Sequence, residues 1–157
     1  MQKITPCLWF DDRIEEAVNF YVSVFKDAKV LDVNRYGEGG PMPAGTVLTM
    51  RFVLQGQEFM ALNGGPVHKF SEAISFVVDC KDQAEVDYYW EKLLAGGGRE
   101  DQCAWLKDRY GLSWQIVPQA LPRLLGGPDK AGAARAMQAM LQMRKIVVAD
   151  LEKAYSG

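Results

Sequence analysis

The feature that most constrains the fold is a secondary-structure pattern that occurs twice, about 70 residues apart. Each copy reads as a strand, an Asp-x-x-Glu helix start, an amphipathic helix, a glycine-rich break and further strands. The helix-start pair is Asp12 with Glu15 in the first copy and Asp82 with Glu85 in the second. This repetition predicts two similar modules, each with the order βαβββ.

The first module is predicted to span residues 1–63. An apolar run rich in strand formers predicts a strand over 4–10, and apolar residues at helical spacing predict a helix over 13–26. Three strands are expected to follow, at 30–36, 47–54 and 58–63. The last two flank a short connection containing Gly56, which is typical of a hairpin.

The second module is predicted to span residues 74–118. It begins with a strand over 74–78, continues with a helix from Asp82 to the glycines at 96–98, and ends with strands near 99–102, 104–107 and 112–117. The residues 108–111, Asp-Arg-Tyr-Gly, suit a type I turn with glycine in the left-handed position. We therefore expect an α+β fold in which two open four-stranded sheets enclose a cleft between the modules.

Residues 119–157 are predicted to form a helical C-terminal extension. Proline and glycine at 122 and 126–128 are expected to break the chain, and a helix is expected from Asp129 to about Met143. A short extended piece over 146–148 and a final helical turn over 150–155 complete the prediction. The apolar face of the longer helix contains Ala133, Met137, Met140 and Leu141. Such an appendage predicts a homodimer in which residues 129–155 contribute, with Met137, Met140 and Leu141 facing the partner subunit or the joint core. The alternative is that the tail folds back on its own chain and leaves a monomer.

Composition excludes several classes of partner. The 157 residues are 48% hydrophobic with a formal net charge of −2, and Lys and Arg are scattered, so nucleic acid is not expected as a partner. No apolar run approaches the ~18 residues of a membrane span, and the N-terminus does not read as a signal peptide. Three cysteines without a C-x-x-C pair indicate reduced thiols, with a structural role favoured over a reactive one for Cys103. We expect a cytoplasmic protein that does not bind membranes.

Several motifs resemble a known superfamily. The doubled βαβββ order, Phe20 and Tyr21 on the first helix, and the closing sequence DRYGLSWQ are similar to the vicinal oxygen chelate superfamily, the glyoxalase, ring-cleaving dioxygenase and bleomycin-resistance group. The sequences ITPCLWFDD, ALNGG, AISFVV and WLKDRYGLSWQIVP resemble its PhnB-like branch, often labelled demethylubiquinone 3-methyltransferase. The likeness is expected to extend over nearly the whole chain, including the helical tail. It implies a glyoxalase-like fold but no single activity, because the superfamily hosts many.

The resemblance also implies where metal ligands would stand. In metal-using relatives, His or Glu side chains on matching strands point into the cleft. The corresponding positions here fall near residues 5–6, within 59–63, near 73–74 and at Gln115, where neither His nor an acid is present. His68, the one histidine, is expected to be a surface residue of a loop. We therefore expect no metal site and no cofactor.

The methyltransferase label is not supported by a nucleotide-binding motif. Such scaffolds carry a glycine-rich loop between a strand and a helix. The glycines at 96–98 follow a helix, those at 37–45 precede a strand, and those at 64–65 open a loop. Whether the chain is an enzyme, and which residues would be catalytic, stay open.

A set of aromatic and polar residues is expected to line a small-molecule cleft. Gln115 is the strongest candidate, since a period of two places it opposite Trp114 and Ile116. The same alternation sends part of the set into the core. The predicted ligand-binding residues are Trp9, Phe59, Asn63, Trp105, Lys107, Tyr110 and Gln115.

Three functions follow from these patterns. The leading hypothesis is a metal-independent protein that binds a small, partly apolar organic molecule. The second is an enzyme, an isomerase, lyase or transferase, in which Gln115, Asn63 or Lys107 polarises a carbonyl or enolate of a quinone-like or aromatic substrate. The third is a structural or interaction protein whose aromatic residues all belong to the core.

Overall fold

A computed structural model describes residues 2–157. The chain folds as two compact units, the first ending at Lys69 and the second spanning Phe70–Gly157. Each unit contains one four-stranded sheet and the order βαβββ, and the second unit continues into three further helices. The α+β class and the doubled module are therefore confirmed.

Unit 1 is a sheet with one covering helix. Its sheet order is β1-β4-β3-β2, with β1 parallel to β4 and the other pairs antiparallel. The turn between the third and fourth strands has positive φ at both central residues, 50° at Gln55 and 82° at Gly56, the geometry of a type I′ hairpin. The elements are β1 Cys7–Phe10, α1 Ile14–Val24, β2 Ala28–Arg35, β3 Val47–Leu54 and β4 Gln57–Asn63.

The core of unit 1 lies between α1 and one face of this sheet. Tyr21 stacks on Phe52 with ring centroids 6.4 Å apart, and Phe52 stacks on Phe59 at 5.4 Å. Ala17 and Val18 of the same helix are fully buried. Strand alternation leaves the opposite face of the sheet uncovered by α1.

Unit 2 repeats this arrangement in the order β5-β8-β7-β6, with β5 parallel to β8. Helix α2 buries Val86, Trp90 and Leu93 against the sheet, and the Trp90 indole N–H donates to Glu100 at 2.9 Å. The elements are β5 Ser75–Cys80, α2 Gln83–Leu94, β6 Arg99–Glu100, β7 Trp105–Lys107 and β8 Ser113–Pro118.

The two predicted capping boxes have different outcomes. In α2 the carboxylate of Asp82 accepts the Glu85 backbone N–H at 3.0 Å, which confirms the cap. In α1 the N-cap residue is Arg13 and no side chain caps the helix, so the predicted Asp12–Glu15 box is wrong. The reason is that Asp12 turns the chain in a left-handed conformation, φ 63°, and its N–H donates to Asn63 Oδ1 instead.

The C-terminal extension folds as three helices within unit 2: α3 Ala120–Leu125, α4 Lys130–Leu141 and α5 Val148–Ser156. Two predictions are corrected here. Pro122 does not break the chain but lies in the first turn of α3, where no helical hydrogen bond needs its missing N–H, and residues 146–148 form no strand because Val148 begins α5. In the described part of the chain, no helix has the length and apolar character needed to cross a bilayer.

The extension has its own apolar cluster. Helix α4 contributes fully buried Ala136, α5 contributes Leu151, and Ile146 from the preceding segment is also fully buried. Gln83 of α2 joins the extension to the module, accepting from the Val148 N–H at 2.7 Å and donating to the Ile146 carbonyl at 2.9 Å.

Candidate functional site

The face of the unit 2 sheet opposite α2 gathers most of the polar candidates. Strand β8 alternates between Trp114 and Ile116, which are buried in the core, and Ser113 and Gln115, which point to the other face. Three of the predicted residues, Trp105, Lys107 and Gln115, are brought together there. We call this surface the polar face and define it as Ser75, Arg99, Trp105, Lys107, Ser113 and Gln115.

The strand register arranges these side chains in two rows. Gln115 stands opposite Trp105 on one neighbouring strand and Val77 on the other. Neighbouring strands lie roughly 4.8 Å apart, and the rows are separated by two residues, roughly 7 Å. The first row, which crosses all four strands, is Ser75, Ser113, Lys107 and Arg99.

Two polar groups of the polar face have unused hydrogen-bonding capacity. Gln115 Nε2 donates to Ser75 Oγ at 2.9 Å, and its Oε1 accepts no hydrogen bond from residues 2–157. Ser113 is fully buried, and its hydroxyl has no hydrogen-bond partner among the described residues. Leaving such a group unsatisfied costs roughly 1–3 kcal/mol, so a bound water or ligand atom is the ordinary explanation for it.

Charge at this face is dominated by cations. The Lys107 ammonium pairs with the carboxylate of Glu72, which precedes β5 and has 56% of its side chain exposed. The hydrogen bond from Lys107 is the largest cause that holds the pKa of Glu72 below its ordinary value, and the charge of Arg99 acts in the same direction. One carboxylate thus faces two cations.

The DRYGLSWQ motif is mainly structural. Asp108 is 3% exposed and its Oδ1 accepts the backbone N–H groups of Tyr110, at 2.8 Å, and Leu112, at 3.1 Å. Its Oδ2 accepts the indole N–H of Trp114 at 2.9 Å. Gly111, with φ 85°, takes the left-handed position that the sequence predicted. Tyr110 therefore lies in the turn rather than in either row.

Two predicted ligand-binding residues of unit 1 are instead parts of its framework. Phe59 is 5% exposed and belongs to the aromatic stack under α1, because alternation along β4 turns it towards the helix. Asn63 is 3% exposed, with Oδ1 accepting from the Asp12 N–H and Nδ2 donating to the Val47 carbonyl at 3.1 Å. Both were expected to face a ligand, and the structure corrects that expectation.

Trp9 lies on the open face of unit 1 and holds the segment that follows β4. Its indole N–H donates to the Gly65 carbonyl at 2.8 Å, and His68 packs edge-on against the ring at 4.7 Å. A Cβ atom on Gly64 would stand 2.4 Å from the same ring, so this close approach requires glycine. Trp9 shares its unit with Phe59 and Asn63 but not with the polar face.

The donor groups do not suit the metal site that the superfamily implies. Within residues 2–157 no three His, Cys, Asp or Glu side chains are grouped as a metal ion would require. On the open face of unit 1, Asp32 and Glu58 both pair with Arg51, at 2.7 and 2.8 Å. The polar face offers hydroxyl, amide and ammonium groups, which compete poorly for transition metals.

A nucleotide-type methyl donor fits no better. Among the described residues the strand-to-helix junctions, residues 11–13, 81–82 and 119, contain no glycine. The glycine-rich stretches join β2 to β3 and α2 to β6 instead. Neither stretch can present backbone N–H groups at the start of a helix, as a phosphate-binding turn does.

Sequence reasoning missed three residues of the polar face. Ser113 could have been found, since the alternation that places Gln115 opposite Trp114 applies equally to it. Ser75 and Arg99 could not, because their position depends on the register of β5 and β6 against strands far along the chain.

A concavity lies in the extension. It is a cavity of about 400 Å³ lined by Arg135, Asp150, Lys153, Ala154 and Gly157. The Arg135 guanidinium is engaged there by the carbonyls of Ala154, at 2.8 Å, and Tyr155, at 2.7 Å. This arginine closes the end of α5 and is not free for a ligand.

Comparison with known proteins gives the family. The family model named 3-demethylubiquinone-9 3-methyltransferase matches residues 2–117. The PhnB protein of Bacillus cereus is 37% identical, and the match covers 74% of this chain and 99% of that one with a TM-score of 0.68. The sequence matches none of the curated proteins. The family model ends at residue 117 and does not include the helical tail.

More distant structures show the fold alone. Protein PA1353 of Pseudomonas aeruginosa is 21% identical over 75% of this chain and 98% of that one, with a TM-score of 0.61. The fosfomycin resistance protein FosX of Listeria monocytogenes, complexed with Mn(II) and sulfate, is 14% identical over 75% of this chain and 91% of that one, with a TM-score of 0.53. This chain belongs to the PhnB-like 3-demethylubiquinone-9 3-methyltransferase family, within the vicinal oxygen chelate superfamily.

Proposed function

We propose that this protein binds a small, partly apolar organic molecule on the polar face of unit 2, without a metal ion. The observation that carries the proposal is the unused hydrogen-bonding capacity of Ser113 and Gln115 on a sheet face that α2 leaves uncovered. Trp105, half-buried and directly opposite Gln115, supplies a planar apolar surface beside them.

This mixture is the one that small-molecule sites use. An aromatic wall contributes most of the contact area, and a few polar groups fix the orientation of the ligand. The alternative function is an enzyme in which Gln115, Asn63 or Lys107 polarises the substrate. Asn63 does not suit this role, because its amide oxygen and its amide nitrogen both form hydrogen bonds within unit 1. A binding protein is therefore the function that the geometry supports best.

The test is a titration of ¹⁵N-labelled protein with benzamide, a neutral probe that has a planar ring and an amide. We expect chemical-shift changes at the Trp105 indole and the Gln115 side chain. Gln115→Ala should weaken binding roughly fivefold or more, the effect of losing about one hydrogen bond. Gln57→Ala, a change at an exposed residue of unit 1, is the matched control and should leave the affinity unchanged.

Two results would contradict the proposal. One is the absence of shift changes on the polar face with both millimolar benzamide and millimolar benzoate, an anion of nearly equal shape. The other is a Gln115→Ala variant that binds the probe as well as the unmodified protein does.

A further inference from the structure

The first row of the polar face changes in chemical character from one end to the other; it contains Ser75, Ser113, Lys107 and Arg99. Hydroxyl groups occupy its β5 and β8 positions, and cationic side chains occupy its β7 and β6 positions. The neighbouring row contains the uncharged residues Val77, Gln115 and Trp105, and the backbone N–H of Asp101, which follows β6, donates to the Trp105 carbonyl at 2.9 Å beside it. A ligand that spans both rows would meet a cationic, hydroxyl-lined edge on one side and an apolar, amide-bearing edge on the other.

A carboxylate already occupies part of the cationic edge. Glu72 pairs with Lys107, and its low pKa shows that the ionised form is favoured at this position. Glu72 belongs to the segment before β5 and is more than half exposed, whereas the Lys107 side chain is only 21% exposed. The fixed partner is therefore the cation, and the exposed carboxylate is the one that another anion can replace.

Ser113 provides an independent observation at the same point. It is paired in register with Lys107 on β7 and with Ser75 on β5, so it occupies the middle of the row. Its hydroxyl is fully buried and has no partner within residues 2–157. A carboxylate has about four lone-pair positions and can accept from a hydroxyl and an ammonium group at once.

We propose that the ligand of the polar face is a small organic anion. Its carboxylate is bound by Lys107 and Ser113 in place of Glu72, and its planar apolar body lies against Trp105. This inference rests on the proposed function, because it names the class of ligand for the same surface. Arg99 contributes positive charge at the outer end of the row and need not touch the ligand.

The experiment compares benzoate with benzamide, two probes of nearly equal shape that differ in charge, by calorimetric and NMR titration at low ionic strength. We expect benzoate to bind roughly tenfold more tightly, as one hydrogen bond to a charged group would give. Lys107→Met should abolish this preference. Lys29→Met, which removes an exposed lysine of unit 1, is the control and should preserve it.

The variant Glu72→Gln tests whether the ligand replaces Glu72 at Lys107 or is only attracted by the positive charge of the row. If Glu72 competes with the ligand, the variant should bind benzoate several-fold more tightly and benzamide unchanged. Ser113→Ala should weaken benzoate binding while the protein stays folded, which a thermal unfolding curve verifies.

The outcomes distinguish the two proposals. Equal affinities for benzoate and benzamide, with shifts at Trp105, would overturn the anion inference and leave the proposed function standing. If neither benzoate nor benzamide changes the chemical shifts at the polar face, both the anion inference and the proposed function are overturned. Weaker benzoate binding by Glu72→Gln would show that this carboxylate supports the ligand rather than competes with it, against the inference.

Discussion

Ser113, a proposed ligand-binding residue, also affects the stability of the folded protein. Its hydroxyl is buried without a partner among the described residues, so the folded protein carries a desolvation cost that alanine would remove. We expect Ser113→Ala to raise the free energy of unfolding by about 1 kcal/mol, measured by urea denaturation. Ser75→Ala is the comparison, because Ser75 accepts the Gln115 hydrogen bond and its loss should lower stability. Equal destabilisation by both variants would contradict the assignment.

We expect the buried Cys80 to be less reactive than the exposed Cys7. Cys80 is fully buried, and burial is the largest cause that raises the pKa of its thiol to about 12. The thiolate is the reactive form, so Cys80 is protonated and inert at about pH 8. We expect iodoacetamide to modify Cys80 only in urea, as peptide mass spectrometry would show. Modification in the native protein at the rate seen for exposed Cys7 would contradict the burial.

At the residue scale, the alternation of side chains along a strand predicted correctly which residues share a face. It could not predict which of the two faces a helix covers. It placed Gln115 on the face opposite Trp114 and Ile116, and the structure agrees. Phe59 obeys the same alternation, but the sequence does not say which face of β4 the helix covers. Asn63 could not be assigned, because its hydrogen-bond partner Asp12 lies 51 residues away.

At the scale of the element, the β7–β8 turn depends on one carboxylate. Asp108 accepts two backbone N–H groups and the Trp114 indole N–H in a buried site. Asp108→Ala would leave these donors unsatisfied, and we expect a loss of about 2–4 kcal/mol in urea denaturation. Asp11→Ala, at an exposed residue of unit 1, is the control and should change stability by less than about 0.5 kcal/mol. A small effect at Asp108 would show that the turn is held by other contacts.

Elements were predictable where pattern and turn chemistry agreed. Strand β3 was predicted with its observed bounds, Val47–Leu54, since a buried run precedes a turn with glycine. Strand β1 begins at Cys7 rather than at residue 4, because Ile4 is apolar but 84% exposed and pairs with no strand among the described residues. Helix α3 was missed because Pro122 was interpreted as a break, although a proline in a first helical turn costs little.

At the scale of the whole molecule, the C-terminal extension determines how the chain is expected to assemble. Its buried residues pack within unit 2, so we do not expect the extension to be exchanged between subunits. Helix α4 nevertheless exposes two apolar side chains one turn apart, Met137 at 39% and Leu141 at 42%. Met140, the third residue predicted at the interface, packs against the apolar cluster of the extension instead.

We propose that the exposed apolar residues of α4 form the centre of a two-fold homodimer, the commonest closed assembly. Met137→Lys combined with Leu141→Lys should convert a dimer into a monomer, measured by light scattering at micromolar concentration. Neither residue belongs to the core, so the variant should remain folded, with an unchanged circular dichroism spectrum. Gln138→Lys adds one lysine at an exposed position of the same helix and should stay dimeric. If the unmodified protein is a monomer, the dimer is refuted. If the double variant is still a dimer, the interface lies elsewhere, because the cost of desolvating two lysines at the centre of an interface would exceed the free energy of association.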